Sequence, residues 1–396
     1  MMETKELNIP LGMTPERWEK FNLVSRASGE RMTLQMGPQH PATHGVLRLE
    51  LETDGEVVTK VTPYIGYLHR CFEKMAESVT YPQIIPYADR MDYLSSMNME
   101  LGYVLAVEKL MGIEVNERVQ TLRVLVCELN RIGSHCVALG TYGLDLGAWT
   151  PLLYLFQARE HILDLLEELS GARMLFNYIR IGGLANDLPN GWTDKVREFC
   201  DFMAPKIPEL NDLLSYNKIF IERTANVGVM SPEVAIAYGV TGPNLRASGV
   251  DWDMRRDAPY SGYENYEFEP QLGRGEFGQV GDCWDRYIVR VREMDESLKI
   301  IRQALDRLPD GDVKEKIPRS FGKMPVGEVY ISTEAPRGEL GIYLVSDGTN
   351  KPYRVKARSG AYCAVSALPA FSVGVLIADL VAIVASIDIV LGEVDR

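Results

Sequence analysis

The chain has 396 residues, with 42 Lys and Arg against 55 Asp and Glu, for a formal net charge of −13. That balance excludes nucleic acid as a partner: phosphate backbones are bound by neutralising cations, and no basic run of five or more residues occurs. With 46% hydrophobic and 24% charged residues, the composition is that of a globular protein with enough apolar material for one large core or two to three modest ones.

Residues 1–30 show no sustained periodicity and read as an extended N-terminal arm. They contain neither the apolar stretch of a secretory signal nor the acid-poor makeup of a transit peptide, so a cytosol-facing chain is expected. Residues 31–66 read as an antiparallel sheet. Met32, Leu34 and Met36 alternate, then Leu47, Leu49 and Leu51 alternate with Arg48, Glu50 and Glu52, and Asp54-Gly55 marks a hairpin turn into Val57–Val61. Between these strands lies Gly37-Pro-Gln-His40-Pro-Ala-Thr-His44-Gly45. Two histidines four apart share a face only on a helix, and the prolines and glycines make this a loop, so a zinc pair is not expected. Either both histidines cap turns, or one points into a cavity, where an imidazole suits proton delivery.

Residues 67–310 read as a helical bundle, with helices expected over 91–111, 117–140, 151–170, 193–215 and 282–308. Tyr87-Ala-Asp89-Arg90-Met-Asp92-Tyr93-Leu94 opens it as a helix start with acids in its first turn. Asp145, in Gly143-Leu-Asp-Leu-Gly147, is either a helix cap or a partner that orients a histidine. Residues 240–281, rich in Gly, Asp, Tyr and Arg, read as a long surface loop contacting a partner. Gly273-Arg-Gly275-Glu-Phe-Gly278-Gln-Val280 fits both the dinucleotide and the kinase glycine patterns. No buried strand precedes it and no kinase text accompanies it, so it reads as a flexible acidic loop.

Residues 311–396 turn to strands again, at 327–331, 340–345 and 353–356 with a turn at Asp347-Gly348, followed by a single apolar helix over 367–387 and the tail GEVDR. The helix has the length of a membrane span, but Asp379 at its centre makes insertion costly, so it reads as a buried helix. The fold class is α+β: a central long-helix bundle between an N-terminal antiparallel sheet and a small C-terminal sheet. The six cysteines are widely spread with no CxxC, which signals neither a disulfide framework nor a thiolate metal site.

The strings MGPQHPATHGVLRLE, IGYLHR, PYADRMDYL, LAVEKLMGIEV, GLDLGAWTP, NYIRIGGL, LRASGVDWDMRRDAPYSGYE, VREMDESLKIIRQAL, PRGELGIYLVSDGTNKPYRVK and GEVDR carry a resemblance to the D-subunit family of the proton-pumping NADH:quinone oxidoreductase, respiratory complex I. It runs from about residue 30 to the end. That family resembles the large subunit of nickel-iron hydrogenases, which implies the same fold here. The two hydrogenase CxxC pairs fall on Asp92-Tyr93-Leu94-Ser95 and Val390-Leu391-Gly392-Glu393. Without thiolates there are no soft ligands for nickel and iron, so the resemblance implies an empty ancestral metal site and no cofactor bound by this chain.

The resemblance further implies a quinone substrate in a cavity shared with a neighbouring subunit that supplies a terminal iron–sulfur cluster. His44 and Tyr93 fall on the family's quinone ligands and proton donors, and Asp145 on the acid that orients the histidine and relays protons. Arg70 and Arg90 fall near the partner's cluster, where fixed positive charge favours the reduced form; the alternative for each is a structural ion pair. Implied partners are the other peripheral-arm subunits and the membrane-arm subunits, on the cytoplasmic side of the inner (plasma) membrane, with NADH or ferredoxin as the electron source. Two departures stand out. Cys71 replaces a usual glycine, for no reason visible in the sequence. Leu175 stands where a titrating histidine is frequent, so the cluster's midpoint is expected to be nearly independent of pH between 6 and 8. The competing readings are a hydrogenase-type large subunit with its own metals and a purely structural assembly subunit.

Overall fold

The computed structural model of the chain describes residues 31–40, 43, 45–315 and 323–396. The proposed arm over 1–30 lies outside the described residues, as does His44.

Strands β1 (Arg31–Met36), β2 (Arg48–Asp54) and β3 (Val57–Tyr64) form an antiparallel sheet in sequential order. The alternation expected from the sequence is realised: Leu49 and Leu51 of β2, with Val58 and Val61 of β3, are buried. Gly55, at φ 60°, supplies the left-handed residue that the tight turn after Asp54 requires. A register shift at Glu52/Thr53 bends the pair.

Seven helices follow as the main scaffold: α1 (Phe72–Ala76), α2 (Tyr81–Ala88), α3 (Ser96–Met111), α4 (Glu117–Asp145), α5 (Trp149–Ser170), α6 (Trp192–Met203) and α7 (Cys283–Arg307). The central one is α4, which packs between α5 and α7. It starts where Asn116 accepts the Val119 N–H. At Gly140 a Cβ would lie 2.9 Å from Leu152 Cδ1, so the missing side chain admits the start of α5. The helix expected over 193–215 is broken into α6, a short helix Lys206–Leu210 and a wide turn Asn211–Ser215. Pro205 and Pro208, which cannot donate to the preceding turn, account for the break.

The segment 240–281 departs from the surface loop expected. It contains the short helices Pro243–Ala247 and Met254–Asp257 and sends Arg246, Asp253, Arg255 and Tyr263 into the interior. Its glycine-rich stretch is likewise fixed in place. The N–H groups of Arg274, Gly275 and Gly281 donate to the carboxylate of Asp285 on α7, so the chain's own acid fills the anion cradle that a nucleotide phosphate takes in the binding motifs.

The C-terminal sheet comprises β4 (Gly327–Ala335), β5 (Gly338–Ser346) and β6 (Arg354–Arg358), antiparallel and in order. It lies against α3, where Gly102 lets Leu340 and Thr333 approach. The single helix expected over 367–387 is two, α8 (Gly360–Phe371) and α9 (Ile377–Ser386). Pro369 near the end of α8 and Gly374, at φ 78°, interrupt it. A last short helix, α10 (Leu391–Asp395), ends the chain. No helix among the described residues is long and apolar enough to cross a membrane.

Candidate functional site

The site is built on the turn between α2 and α3. Helix α2 starts with a capping box, Thr80 and Gln83 each satisfying the other's backbone. It ends at Ala88, and Tyr93 lies in the turn before α3 begins at Ser96. This turn is clamped on two sides. From α4, Asn130 donates to the Leu94 carbonyl at 3.2 Å and accepts the Met97 N–H at 3.0 Å. From within, the buried Asp92 accepts the Leu94 N–H at 3.1 Å and the Ser95 hydroxyl.

A third clamp comes from the hairpin between β4 and β5. The residue at its tip, Arg337, is buried and points inward. Its Nη1 donates to Asp92 at 2.7 Å and to Ser134 at 2.9 Å, and its Nη2 donates to Asp388 at 3.0 Å. Arg290 of α7 faces the other oxygen of Asp388 at 3.7 Å. The hairpin tip is close-packed: a Cβ on Gly338 would lie 2.6 Å from Thr241 Oγ1.

The C-terminal tail closes the site. A Cβ on Gly392 would lie 2.6 Å from the Met91 carbonyl, 3.1 Å from Arg70 Nη2 and 3.2 Å from Tyr93 Cε1, so glycine here lets these three groups meet. Asp395 accepts the N–H groups of Gly66 at 2.8 Å and Leu68 at 2.7 Å, and His69 Nδ1 lies 2.7 Å from the Asp395 carbonyl. The tail therefore straps residues 66–70 in place, and the Arg70 guanidinium donates to the Arg90 carbonyl.

Of the residues singled out in the sequence, Arg70, Arg90 and Tyr93 are brought together. Arg70 and Arg90 are exposed, and no carboxylate among the described residues pairs with either, so the ion-pair alternative finds no partner there. Tyr93 is half-buried, and burial, followed by the charge of Asp92, raises its pKa. The hydroxyl thus stays a proton-bearing donor at neutral pH. Asp145 is the last residue of α4, fifteen residues beyond Asn130, about 22 Å along the axis at 1.5 Å per residue. Cys71 has φ 57°, in the left-handed region where glycine is favoured, a physical reason for the glycine that the resemblance implies there.

The two stretches that the resemblance sets against the hydrogenase metal pairs do converge: a Cβ on Gly392 would lie 3.2 Å from Tyr93 Cε1, and the charge of Asp92 acts on Glu393. The donor set does not suit nickel or low-spin iron: it offers carboxylates, a hydroxyl and Val390 in place of soft thiolates. A guanidinium, Arg337, bonds directly to Asp92. Glu393 is buried, accepts from Ser359 at 2.9 Å, and has its pKa pushed up to about 7 by burial and by Asp92.

Sequence reasoning passed over Arg337, Asp388 and Arg290, and a second buried charge cluster deeper in the bundle. There Glu128, Glu293, Asp253 and Glu334 meet Arg131, Arg246 and Arg255, with His135 Nε2 3.1 Å from Glu293. The available signal was the run of charged and titratable residues on one side of α4, at Arg123, Glu128, Arg131 and His135, all of them buried.

Comparison with known proteins gives this arrangement a context. A family model described as the 49 kDa subunit of respiratory-chain NADH dehydrogenase matches residues 145–323 and 316–396. The NADH-quinone oxidoreductase D subunit of Chlorobium luteolum is 56% identical over 371 residues, covering 93% of this chain and 94% of that protein. The chain belongs to this 49 kDa subunit family. The corresponding D subunits of Chlorobaculum tepidum and Prosthecochloris aestuarii are 56% identical over 371 residues and 52% identical over 394 residues, covering 93% and 98% of this chain and 92% and 98% of theirs. Members of the 49 kDa family are subunits of an oxidoreductase complex, and this chain is accordingly a subunit of NADH-quinone oxidoreductase.

Proposed function

We propose that the chain forms one wall of the quinone-binding site of the complex, against a neighbouring subunit that holds an iron–sulfur cluster, on the peripheral side of the membrane. The observation that carries this reading is the placement of Tyr93. It stands on a turn held by Asn130, Asp92 and Arg337, with the exposed guanidiniums of Arg70 and Arg90 beside it.

A quinone takes two electrons and two protons to become a quinol, and its carbonyl oxygens gain basicity as charge arrives. The Tyr93 hydroxyl, protonated at neutral pH, donates a hydrogen bond to one carbonyl and is placed to pass a proton as that oxygen becomes basic. His44 is proposed to serve the other carbonyl, with Asp145 as the acid that stabilises the charged imidazole and links quinone reduction to proton translocation. The positive face of Arg70 and Arg90 favours an electron-rich centre in the neighbouring subunit. Exposed apolar side chains support contact with neighbours: Tyr64, Ile65 and Tyr67 precede Arg70, and Trp149, Leu153 and Tyr154 follow Asp145.

Tyr93→Phe and His44→Ala in the assembled complex test the reading. Tyr93→Phe loses one hydrogen bond, about 1 kcal/mol or a factor of about 5, and also the proton donor. Quinone reduction is expected to fall at least tenfold with the complex still assembled. Wild-type quinone reduction in both variants, or loss of assembly in place of loss of activity, contradicts it.

A further inference from the structure

Helix α1 packs against β6, and between these, the loop before Arg70 and the tail opens a cavity of about 310 Å³. Four of its lining side chains are fixed cations, Lys74, Arg354, Lys356 and Arg396, against two acids, Glu73 and Asp395. In a chain with a formal net charge of −13, this is a local reversal of sign. His69 and Cys71 complete the wall, and no aliphatic, phenyl or indole side chain contributes to it.

The strand pattern explains why the cations gather. In β6, Val355 and Ala357 are buried, so the alternation turns Arg354 and Lys356 to the other side, where Glu73 and Glu77 meet them. Glu73 accepts from Arg354 at 2.9 Å, from Lys356 at 2.8 Å and from the Ala357 N–H at 3.3 Å. Glu77 accepts from Arg354 at 3.0 Å and from Lys74 at 2.7 Å. Two acids thus serve three cations. The two oxygens of Asp395 are taken by the N–H groups of Gly66 and Leu68. Arg396 donates to the Ala357 carbonyl at 2.8 Å and lies over the Tyr362 ring at 5.1 Å, and no acidic side chain among the described residues pairs with it. Positive charge is left in excess.

We propose that this cavity receives an acidic segment of the cluster-bearing neighbour, whose Asp or Glu carboxylates meet Lys74, Lys356 and Arg396. This rests on the reading that the neighbour covers the Arg70 face, which adjoins the cavity through His69 and Cys71 on either side of Arg70. The cations are available to a partner: the side chains of Lys74, Lys356 and Arg354 are 80%, 50% and 42% exposed. Pairs this exposed add little to the stability of the chain itself, whereas charge presented at a rim steers and registers an approaching surface of opposite sign. Apolar anchors stand beside the charges. Met75 follows Lys74, Tyr353 precedes Arg354 and Tyr362 lies beneath Arg396, all three exposed, and aromatic and Met side chains among polar groups are the makeup of a protein interface. The tail that lines this cavity also holds the 66–70 loop through Asp395 and meets Tyr93 at Gly392. Docking here therefore fixes the neighbour's position relative to Arg70 and Tyr93.

The test is zero-length cross-linking of the assembled complex with a water-soluble carbodiimide, which joins a lysine amine directly to a carboxylate in contact with it. The pairs Lys74 with Glu77 and Lys356 with Glu73, 2.7 and 2.8 Å apart, are internal standards showing that the reagent has entered. The expected result is a further link, from Lys74 or Lys356 to an Asp or Glu of the cluster-bearing subunit, lost in Lys74→Ala/Lys356→Ala. Links within the chain alone, as for a cavity facing solvent or a phosphate-bearing lipid, or links to a subunit without a cluster, overturn the proposal. The double variant should also release the neighbour at lower salt, each lost pair changing affinity about 1.5- to 5-fold, and Lys74→Arg/Lys356→Arg should restore the wild-type salt profile. An unchanged profile in the alanine variant overturns the docking, and this profile decides where no link of either kind forms. Normal quinone reduction in Tyr93→Phe alongside the expected link overturns the quinone reading and leaves the docking standing.

Discussion

Arg337 Nη1 donates to Asp92 Oδ2 at 2.7 Å, joining the tip of the C-terminal hairpin to the turn that carries Tyr93. With Asp388 on the other arm of the guanidinium, one cation neutralises two buried acids. Removing it by Arg337→Met leaves both without this partner, at an expected cost of about 3–5 kcal/mol. Arg337→Lys should recover only part of this, because an ammonium cannot serve both acids through a planar fork. Thermal unfolding and the amount of this chain incorporated into the complex measure the effect, and unchanged stability of Arg337→Met contradicts it.

Cys71 supplies a second case. A left-handed conformation costs an L-residue about 1–2 kcal/mol, part of which is offset by glycine's greater loss of freedom on folding. Cys71→Gly should therefore raise stability by about 0.5–1 kcal/mol, seen as a higher thermal midpoint. A lower midpoint means that the thiol makes a compensating contact.

Glu393 gives a pH dependence of definite sign. Its pKa rises from 4.5 to about 7 on folding, through burial and the nearby charge of Asp92. A raised value means that the folded chain holds the proton more tightly, so this contribution to stability is complete below about 4.5 and is lost as pH rises through about 7. Glu393→Gln fixes the neutral form and removes that loss. At pH 8 the variant should exceed the wild type in stability by up to roughly 3 kcal/mol, with the advantage disappearing below about pH 5. Denaturant unfolding at the two pH values checks this, and an advantage at acid pH reverses the assignment.

Much of the scaffold was legible because it follows local periodicity. The alternation through Leu49 and Leu51 and the apolar stripe of α7 each decide their element within one window of sequence. The breaks were harder: Pro205, Pro208 and Pro369 were visible, but the apolar pattern running through them suggested continuous helices. In the site, family motifs drew attention to Arg70, Arg90 and Tyr93, and the structure gathers these. Arg337 and Asp388 were passed over because their role depends on pairing across the fold, between a hairpin tip and a tail 51 residues apart. The burial of Asp89 and Glu100 was illegible for the same reason: each acid alone reads as part of a helix end, and only the N–H groups of residues 177–179, distant in sequence, engage them.

The most direct test of the proposed site is a quinone carrying a photoreactive group on its head ring, cross-linked within the assembled complex and mapped by peptide mass. The expected result is label on the peptide containing Tyr93, suppressed by excess unmodified quinone. Label confined to other subunits, or to the surface cavity beside Glu267 and Arg302, contradicts the account.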